Sequence, residues 1–248
     1  MKIDYSRYRF SKKEIIMYAL LGAVTGYAIM YLFYNSVIVS IIGAVAGVPV
    51  MLGIMRKRLA GKRQDALMVE FGDLLESMTG ALAAGYSMEN AVSEAYRDLK
   101  LLYSEERIIL KELEDMRARI DVGVPLDELF HDLGVRSKVS DIVTFSQVYV
   151  TARKSGGNLI KVMKRTSSAI DEKVEIESEI KTLIAGKRLE SLCMIVIPLM
   201  IIVYLRVFSP GFLDPLYGGL MGRLFMSGAL IVYALAVWWS FRLMQIDV

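Results

Sequence analysis

The chain has 248 residues, 54% hydrophobic and 23% charged, with a mean hydropathy of +0.43 and a net charge of +3. It is too apolar for an ordinary cytosolic domain and too charged for a pure membrane bundle, so the two characters must be segregated along it. A single cysteine, Cys193, excludes an intrachain disulfide and reads as a small buried apolar group; a single histidine, His131, excludes a multi-histidine metal site. Between Arg56 and Arg188 stand 22 basic and 22 acidic residues, a balanced and interspersed charge that argues against nucleic acid as a partner.

In chain order, residues 1–14 form a basic tail with Lys2, Arg7, Arg9, Lys12 and Lys13. A basic start before an apolar run suits a signal peptide. However, the run over 15–34 has about 20 residues, the length that crosses a bilayer, and no clear small-residue cleavage site follows it. The reading is a retained span. A second apolar run, 37–55, follows the short Asn35-Ser36 turn, so residues 15–55 make an antiparallel transmembrane hairpin. Basic residues flank it on one side only, the tail before it and Arg56, Lys57, Arg58, Lys62 and Arg63 after it. The positive-inside rule places both ends in the cytoplasm and the turn outside. Gly22 and Gly26, and Gly43 and Gly47, are small-residue pairs four apart that permit close helix packing. Pro49 can kink the second span, which neighbouring helices tolerate.

A soluble domain is expected over 64–188. Its first helix carries a stripe of Leu67, Phe71, Leu74, Leu75, Met78 and Leu82 and ends at Gly85. Ser87 caps the second, striped at Met88, Ala91/Val92, Ala95, Leu99 and Leu102. Ser104 with Glu105 and Glu106 starts the third, with Ile109, Leu113, Met116 and Ile120 inward and a stop near Gly123. Pro125 suits the first position of a short fourth helix through about residue 133. A fifth runs over about 139–154 on Ile142, Phe145, Tyr149 and Ala152, and stops at Gly156-Gly157. Asn158 caps a sixth, which no proline interrupts before the sequence turns wholly apolar near Ser191. This last helix is read as leaving the domain and entering a membrane.

The C-terminal transmembrane pair is expected over 191–241, as a span of about 191–208 containing Pro198, a loop over 209–222, and a span of about 224–241 with Trp238 and Trp239 near one interface. Arg206 and Arg223 lie near span ends, where they can snorkel. No segment alternates with a two-residue period. The expected fold is therefore an all-α membrane protein, four transmembrane helices plus a cytoplasmic six-helix antiparallel bundle, with both termini cytoplasmic.

Little chemistry is visible. His131 stands beside Asp132 with no obvious nucleophile, and Gly186-Lys187 lacks the rest of a phosphate loop. Gly156-Gly157 precedes a helix N-terminus where an anion could bind, but helix termination is the favoured reading. Glu112, Glu114 and Asp115 are interleaved with Lys and Arg at helical spacing, which reads as a solvated face. The mid-membrane holds no Asn, Gln or charged residue, which disfavours a transporter. No catalytic, cofactor or metal residue is assigned, and no enzyme is expected.

Two blocks carry a resemblance: FGDLLESMTGALAAGYSMENAVSEA over 71–95, and ARKSGGNLIKVMKRTSSAI over 152–170 followed by the Pro198 span. Together, over roughly 64–241, they resemble the type II secretion system F domain, the platform family of type II secretion, type IV pili, Tad/Flp pili and archaeal flagella. The resemblance implies a six-helix bundle, no catalytic residues, an inner-membrane location, and a cytoplasmic hexameric ATPase and pilins as partners. Secretion and type IV pilus members carry two such domains in tandem. This chain has one, with an N-terminal hairpin, and looks like the TadB/TadC type, so a second domain must come from another platform subunit or a second copy. The structural and interaction residues are then Gly85, Ser87, Gly156, Gly157, Asn158 and Pro198, and membrane lipids join the partners. The alternative reading is a membrane-anchored regulatory scaffold with a helical signalling bundle.

Overall fold

The computed structural model describes residues 10–244, and among these the secondary structure is helical with no strand. Lys2, Arg7 and Arg9 of the basic tail lie outside the described residues. The helices are α1 (Lys12–Tyr34), α2 (Val37–Ala83), α3 (Met88–Leu102), α4 (Ile108–Asp121), α5 (Leu126–Ser137), α6 (Ser140–Lys154), α7 (Leu159–Phe208), α8 (Asp214–Tyr217) and α9 (Gly219–Met244). They form two compact units, one built from Lys57–Ile176 and the other from Phe10–Arg56 and the chain from Glu177 onward.

In the Lys57–Ile176 unit, the apolar stripes meet in one core. Leu67, Phe71, Leu74, Leu75 and Met78 of α2 are fully buried, with Ala91, Val92, Ala95 and Leu99 of α3 and Ile109 and Leu113 of α4. At its centre Phe71, Phe130, Phe145 and Tyr149 pack mostly edge to face, with ring centroids 5.2–6.4 Å apart. Each such contact adds about 0.5–1.5 kcal/mol to the burial of the rings themselves. Leu102, expected on the α3 stripe, is instead 72% exposed, because α3 ends there and Tyr103 turns inward to donate its hydroxyl to Asp73 of α2.

The sequence pattern also misplaces the start of α4. Residues 104–107 form a turn, and the helix begins at Ile108. Its N-terminal donor is satisfied from a distance: Glu70 of α2, almost wholly buried, accepts from the Ile109 N–H at 3.2 Å and pairs with Arg107 at 3.3 Å. A cap supplied 39 residues upstream leaves no local signature. Burial is the largest influence on Glu70, raising its pKa from the ordinary 4.5 against the pull of the Ile109 N–H and Arg107. Pro125 stands at the N-cap of α5 rather than inside it, and α5 extends to Ser137.

Glu112 overturns its reading as part of a solvated face. It is buried and receives both arms of Arg136 on α5, at 2.7 and 2.5 Å. Arg119 and Arg136 then share Asp132, each at 3.1 Å, so a bidentate ion network fastens α4 to α5.

Helix α2 does not stop between the apolar run and the first soluble stripe. Residues 56–63 hold no proline, and the helix is continuous through Gly61 for 47 residues. Likewise α7 is continuous for 50 residues. Four helices, α1, α2, α7 and α9, are long and apolar enough to cross a membrane. In the second unit large side chains such as Ile38, Val45 and Val232 face outward, 68–75% exposed, as lipid contact would require. Cys193, expected to be buried, is exposed on α7.

Within that unit, the α1–α2 turn is fixed by Asn35 in the left-handed conformation (φ 47°). Gly22 lies against Gly47 and Gly26 against Gly43. A Cβ on Gly26 would come within 2.2 Å of the Gly43 carbonyl oxygen, and one on Gly47 within 2.3 Å of that of Gly22. Pro198 has no N–H for the Met194 carbonyl, and its ring crowds the turn. Tyr233 of α9 donates to the adjacent Ile195 carbonyl at 2.8 Å, supplying a donor where the proline disturbs the ladder. Arg206 does more than snorkel. It donates to the Tyr31 carbonyl at 3.2 Å and to the Asn35 side chain, and lies 4.3 Å over the Tyr31 ring, placing a cation at the C-terminus of α1. The expected 209–222 loop is shorter than its composition suggests, since α8 and the first turn of α9 occupy part of it.

Two outcomes follow. Gly26→Ala and Gly47→Ala should each destabilise the detergent-solubilised protein by about 1–3 kcal/mol, the range for overpacking a close interface. Gly53→Ala, with no atom within 4 Å of the added methyl, should be neutral or stabilising by up to about 1 kcal/mol; thermal unfolding curves of the three variants check this. Glu70→Ala should cost about 1–3 kcal/mol by orphaning the Ile109 N–H, while Glu70→Gln keeps an acceptor and should cost less. Because the folded pKa is raised, the native state holds more protons than the unfolded chain as pH climbs above 4.5, so the Glu70 contribution falls with rising pH. Glu70→Gln should remove that decline in a pH series of denaturant midpoints.

Candidate functional site

The second family-like block folds into the turn between α6 and α7. Thr151, Ala152 and Arg153 supply the last acceptors of α6: Ser155 N–H donates to Thr151 at 3.0 Å and Gly157 N–H to Ala152 at 2.7 Å. Gly156 takes the left-handed conformation (φ 68°) that this ending requires, and a Cβ on Gly157 would press on the Ala152 backbone at 3.3 Å. Asn158 then accepts from the Lys161 N–H at 3.0 Å through its side-chain oxygen, starting α7. The chain reverses here within four residues, 155–158, and α7 runs back along α6.

Between the two helices lies a groove of about 760 Å³. Phe145 and Val148 of α6 and Val162 of α7 make its apolar floor, and Gly157 and Asn158 close one end. Lys161 and Arg165, one helical turn apart, line the α7 wall. Thr144, Gln147 and Thr151 give the α6 wall uncharged polar groups. Asp141, the one carboxylate among the lining residues, is held by Lys173 at 3.2 Å. Beneath the groove, Tyr149 is buried and its phenol is pushed up to about 12 by desolvation, so it stays protonated. The groove therefore presents an apolar trough with a cationic wall. It can seat a chain segment, and it lacks a nucleophile paired with a base.

The other sequence-derived residues lie elsewhere. Gly85 is left-handed (φ 92°) at the end of α2, and the Ser87 side chain accepts from the Asn90 N–H at 3.2 Å to start α3. Pro198 and the four glycines Gly22, Gly26, Gly43 and Gly47 belong to the second unit. His131 is exposed on α5. Among the described residues no group of three or more His, Cys, Asp or Glu could hold a metal ion. Lys161 and Arg165 were not singled out by sequence reasoning. The signal was present but local: residues 151–170 contain five cations and no carboxylate, a bias hidden by the even balance of the whole domain.

A protein-family model described as "Type II secretion system (T2SS), protein F" matches residues 74–205, just over half of the 248 residues. The match spans α3 to α6, the α6–α7 groove and most of α7. No curated protein and no solved structure matches the chain.

Proposed function

The chain belongs to the type II secretion system protein F family, and on that premise we propose that it is a non-enzymatic platform protein of a secretion or pilus-assembly machine. Family membership and four apolar helices are consistent with a membrane protein. In our reading the protein sits in the cytoplasmic membrane with both termini inside. Lys12, Lys13 and the Arg56–Arg63 cluster flank the α1–α2 hairpin on one side, while the Asn35-Ser36 turn carries no charge. The Lys57–Ile176 unit is then cytoplasmic and meets an ATPase, and the membrane helices act on pilins or secreted cargo. The N-terminal hairpin ahead of the matched region favours the TadB/TadC type, working with a second platform protein or with another copy of itself.

The observation that carries this reading is the continuity of α7. One helix includes the groove wall at Lys161 and Arg165, passes Gly186 and ends in the apolar run around Pro198. A helix shared by a partner-binding surface and a membrane stem can carry displacement from one to the other, because its hydrogen-bond ladder resists bending within a few turns.

The test breaks that ladder at an open position, Gly186. A Cβ on Gly186 would meet nothing within 4 Å, so a short Gly-Ser insertion after it disturbs little beyond the helix itself. The expected outcome is normal membrane insertion and retained co-purification of the ATPase, with secretion or pilus assembly abolished. Wild-type output from the insertion mutant would reduce α7 to a tether and remove the mechanical part of the proposal.

A further inference from the structure

Residues 151–170 carry Arg153, Lys154, Lys161, Lys164 and Arg165 with no compensating carboxylate in the segment. Arg153 is engaged by Asp127 at 2.6 Å. The other four find no ion pair among the described residues. Elsewhere in the same unit Arg97, Lys100, Arg107, Arg119, Arg136 and Lys173 each have a carboxylate partner, while Lys111, Arg117 and Lys138 also have none among the described residues. The unpaired charge is not spread evenly. Lys161 and Arg165 stand on the wall of the groove floored by Phe145, Val148 and Val162, and the N-terminal end of α7 opens into the same groove, adding its positive dipole end. The one lining carboxylate, Asp141, is occupied by Lys173. Val148 remains 44% exposed, the one large apolar side chain that α6 leaves open.

We infer that this groove is the seat of an amphipathic helical segment of the ATPase partner, apolar toward Val148 and Val162 and acidic toward Lys161 and Arg165. The inference rests on the ATPase-coupled reading above and names the surface and the chemistry of its contact. The apolar floor requires side chains to enter it, and the cationic wall requires carboxylates at one-turn spacing, which a helix supplies at i and i+4. A second copy of this chain does not fit. Asp171, Glu172, Glu175 and Glu179 follow the basic stretch on α7, and two copies in one membrane would run their α7 helices in the same direction, opposing like charges. A lipid headgroup fits less well, since thirty residues separate Lys161 from Ser191, where the apolar run begins.

The experiment uses the full chain in nanodiscs of zwitterionic lipid and the ATPase of the same secretion system as the probe. A photo-crosslinking residue is placed at Val148, and at Leu101, 88% exposed outside the groove, as control. The expected result is crosslinking to the ATPase from Val148 and not from Leu101. Binding should weaken about tenfold or more in K161E/R165E and by less in K161A/R165A, and should fall with added salt. Both side chains are exposed, and unchanged thermal midpoints confirm that the variants fold. Exchanging the crosslinked carboxylates of the ATPase for lysine should restore binding to K161E/R165E. If the ATPase binds the wild-type chain but crosslinks only outside the groove, or binds the charge-reversed chain equally well, the groove assignment fails while the platform reading stands. If the wild-type chain does not bind the ATPase at all, the platform reading fails and this inference with it. Crosslinking of Val148 to phosphatidylglycerol, with loss of the ATPase crosslink when that lipid is added, would make the groove a lipid site and overturn the proposal.

Discussion

Four aromatic rings set the geometry on which the Lys57–Ile176 unit depends. Phe71 comes from α2, Phe130 from α5, and Phe145 and Tyr149 from α6, and each is essentially buried. Their edge-to-face contacts constrain rotation of α6 about its axis as well as its distance from α2 and α5. Phe145 belongs both to this cluster and to the floor of the α6–α7 groove. The shape of the groove is therefore not set by its own rim, which is polar and exposed, but by the core below it. A surface whose floor is held by the hydrophobic core keeps its form while its rim side chains remain free to rearrange around a partner.

The sequence was most informative where structure is decided by neighbours along the chain. The stripes of Leu67 to Met78, Ala91 to Leu99 and Ile142 to Tyr149 are inward-facing, because helical periodicity places them on one face. Breaks at Gly85 and Gly156 were legible because a left-handed residue ending a helix selects glycine. Failures share a different cause. The start of α4 depends on Glu70, and the burial of Glu112 depends on Arg136, partners 39 and 24 residues distant. Periodicity cannot distinguish a carboxylate facing water from one facing an arginine on another helix. The continuity of α2 through residues 56–63 is obscured by a third cause: a change of polarity suggests a boundary, although it does not interrupt a hydrogen-bond ladder.

For a second unit that crosses a bilayer, as proposed above, the governing constraint would be the satisfaction of backbone carbonyls without water. Three side chains answer it at places where a helix ladder is open or disturbed. Tyr233 donates to Ile195 beside Pro198, Tyr217 donates to Leu32 at 2.8 Å, and Arg206 donates to Tyr31. The last two lie at the C-terminal end of α1: Leu32 is among the final carbonyls a helix leaves open, and Tyr31, which already accepts from the Asn35 N–H at 3.1 Å, takes a second bond. Arg206 thus has a structural account that its position near a span end did not suggest. The same logic explains why this unit can rely on glycine contacts: Gly22, Gly26, Gly43 and Gly47 bring two backbones together where side chains would hold them apart.

The Gly156-Gly157-Asn158 turn shows how a purely structural device can determine where function is placed. Its glycines end α6 and its asparagine starts α7. By reversing the chain in four residues, the turn lays the first turns of α7 along α6 and brings Lys161 and Arg165 over Phe145 and Val148. A longer connection would let α7 settle at another angle or register, and the two cations would no longer share a groove with an apolar floor. The turn also fixes which residue begins α7, so it sets the rotational phase of the groove-lining side chains Lys161 and Arg165. Strict demands on backbone conformation at 155–158 are thereby demands on the groove itself, one end of which Gly157 and Asn158 close.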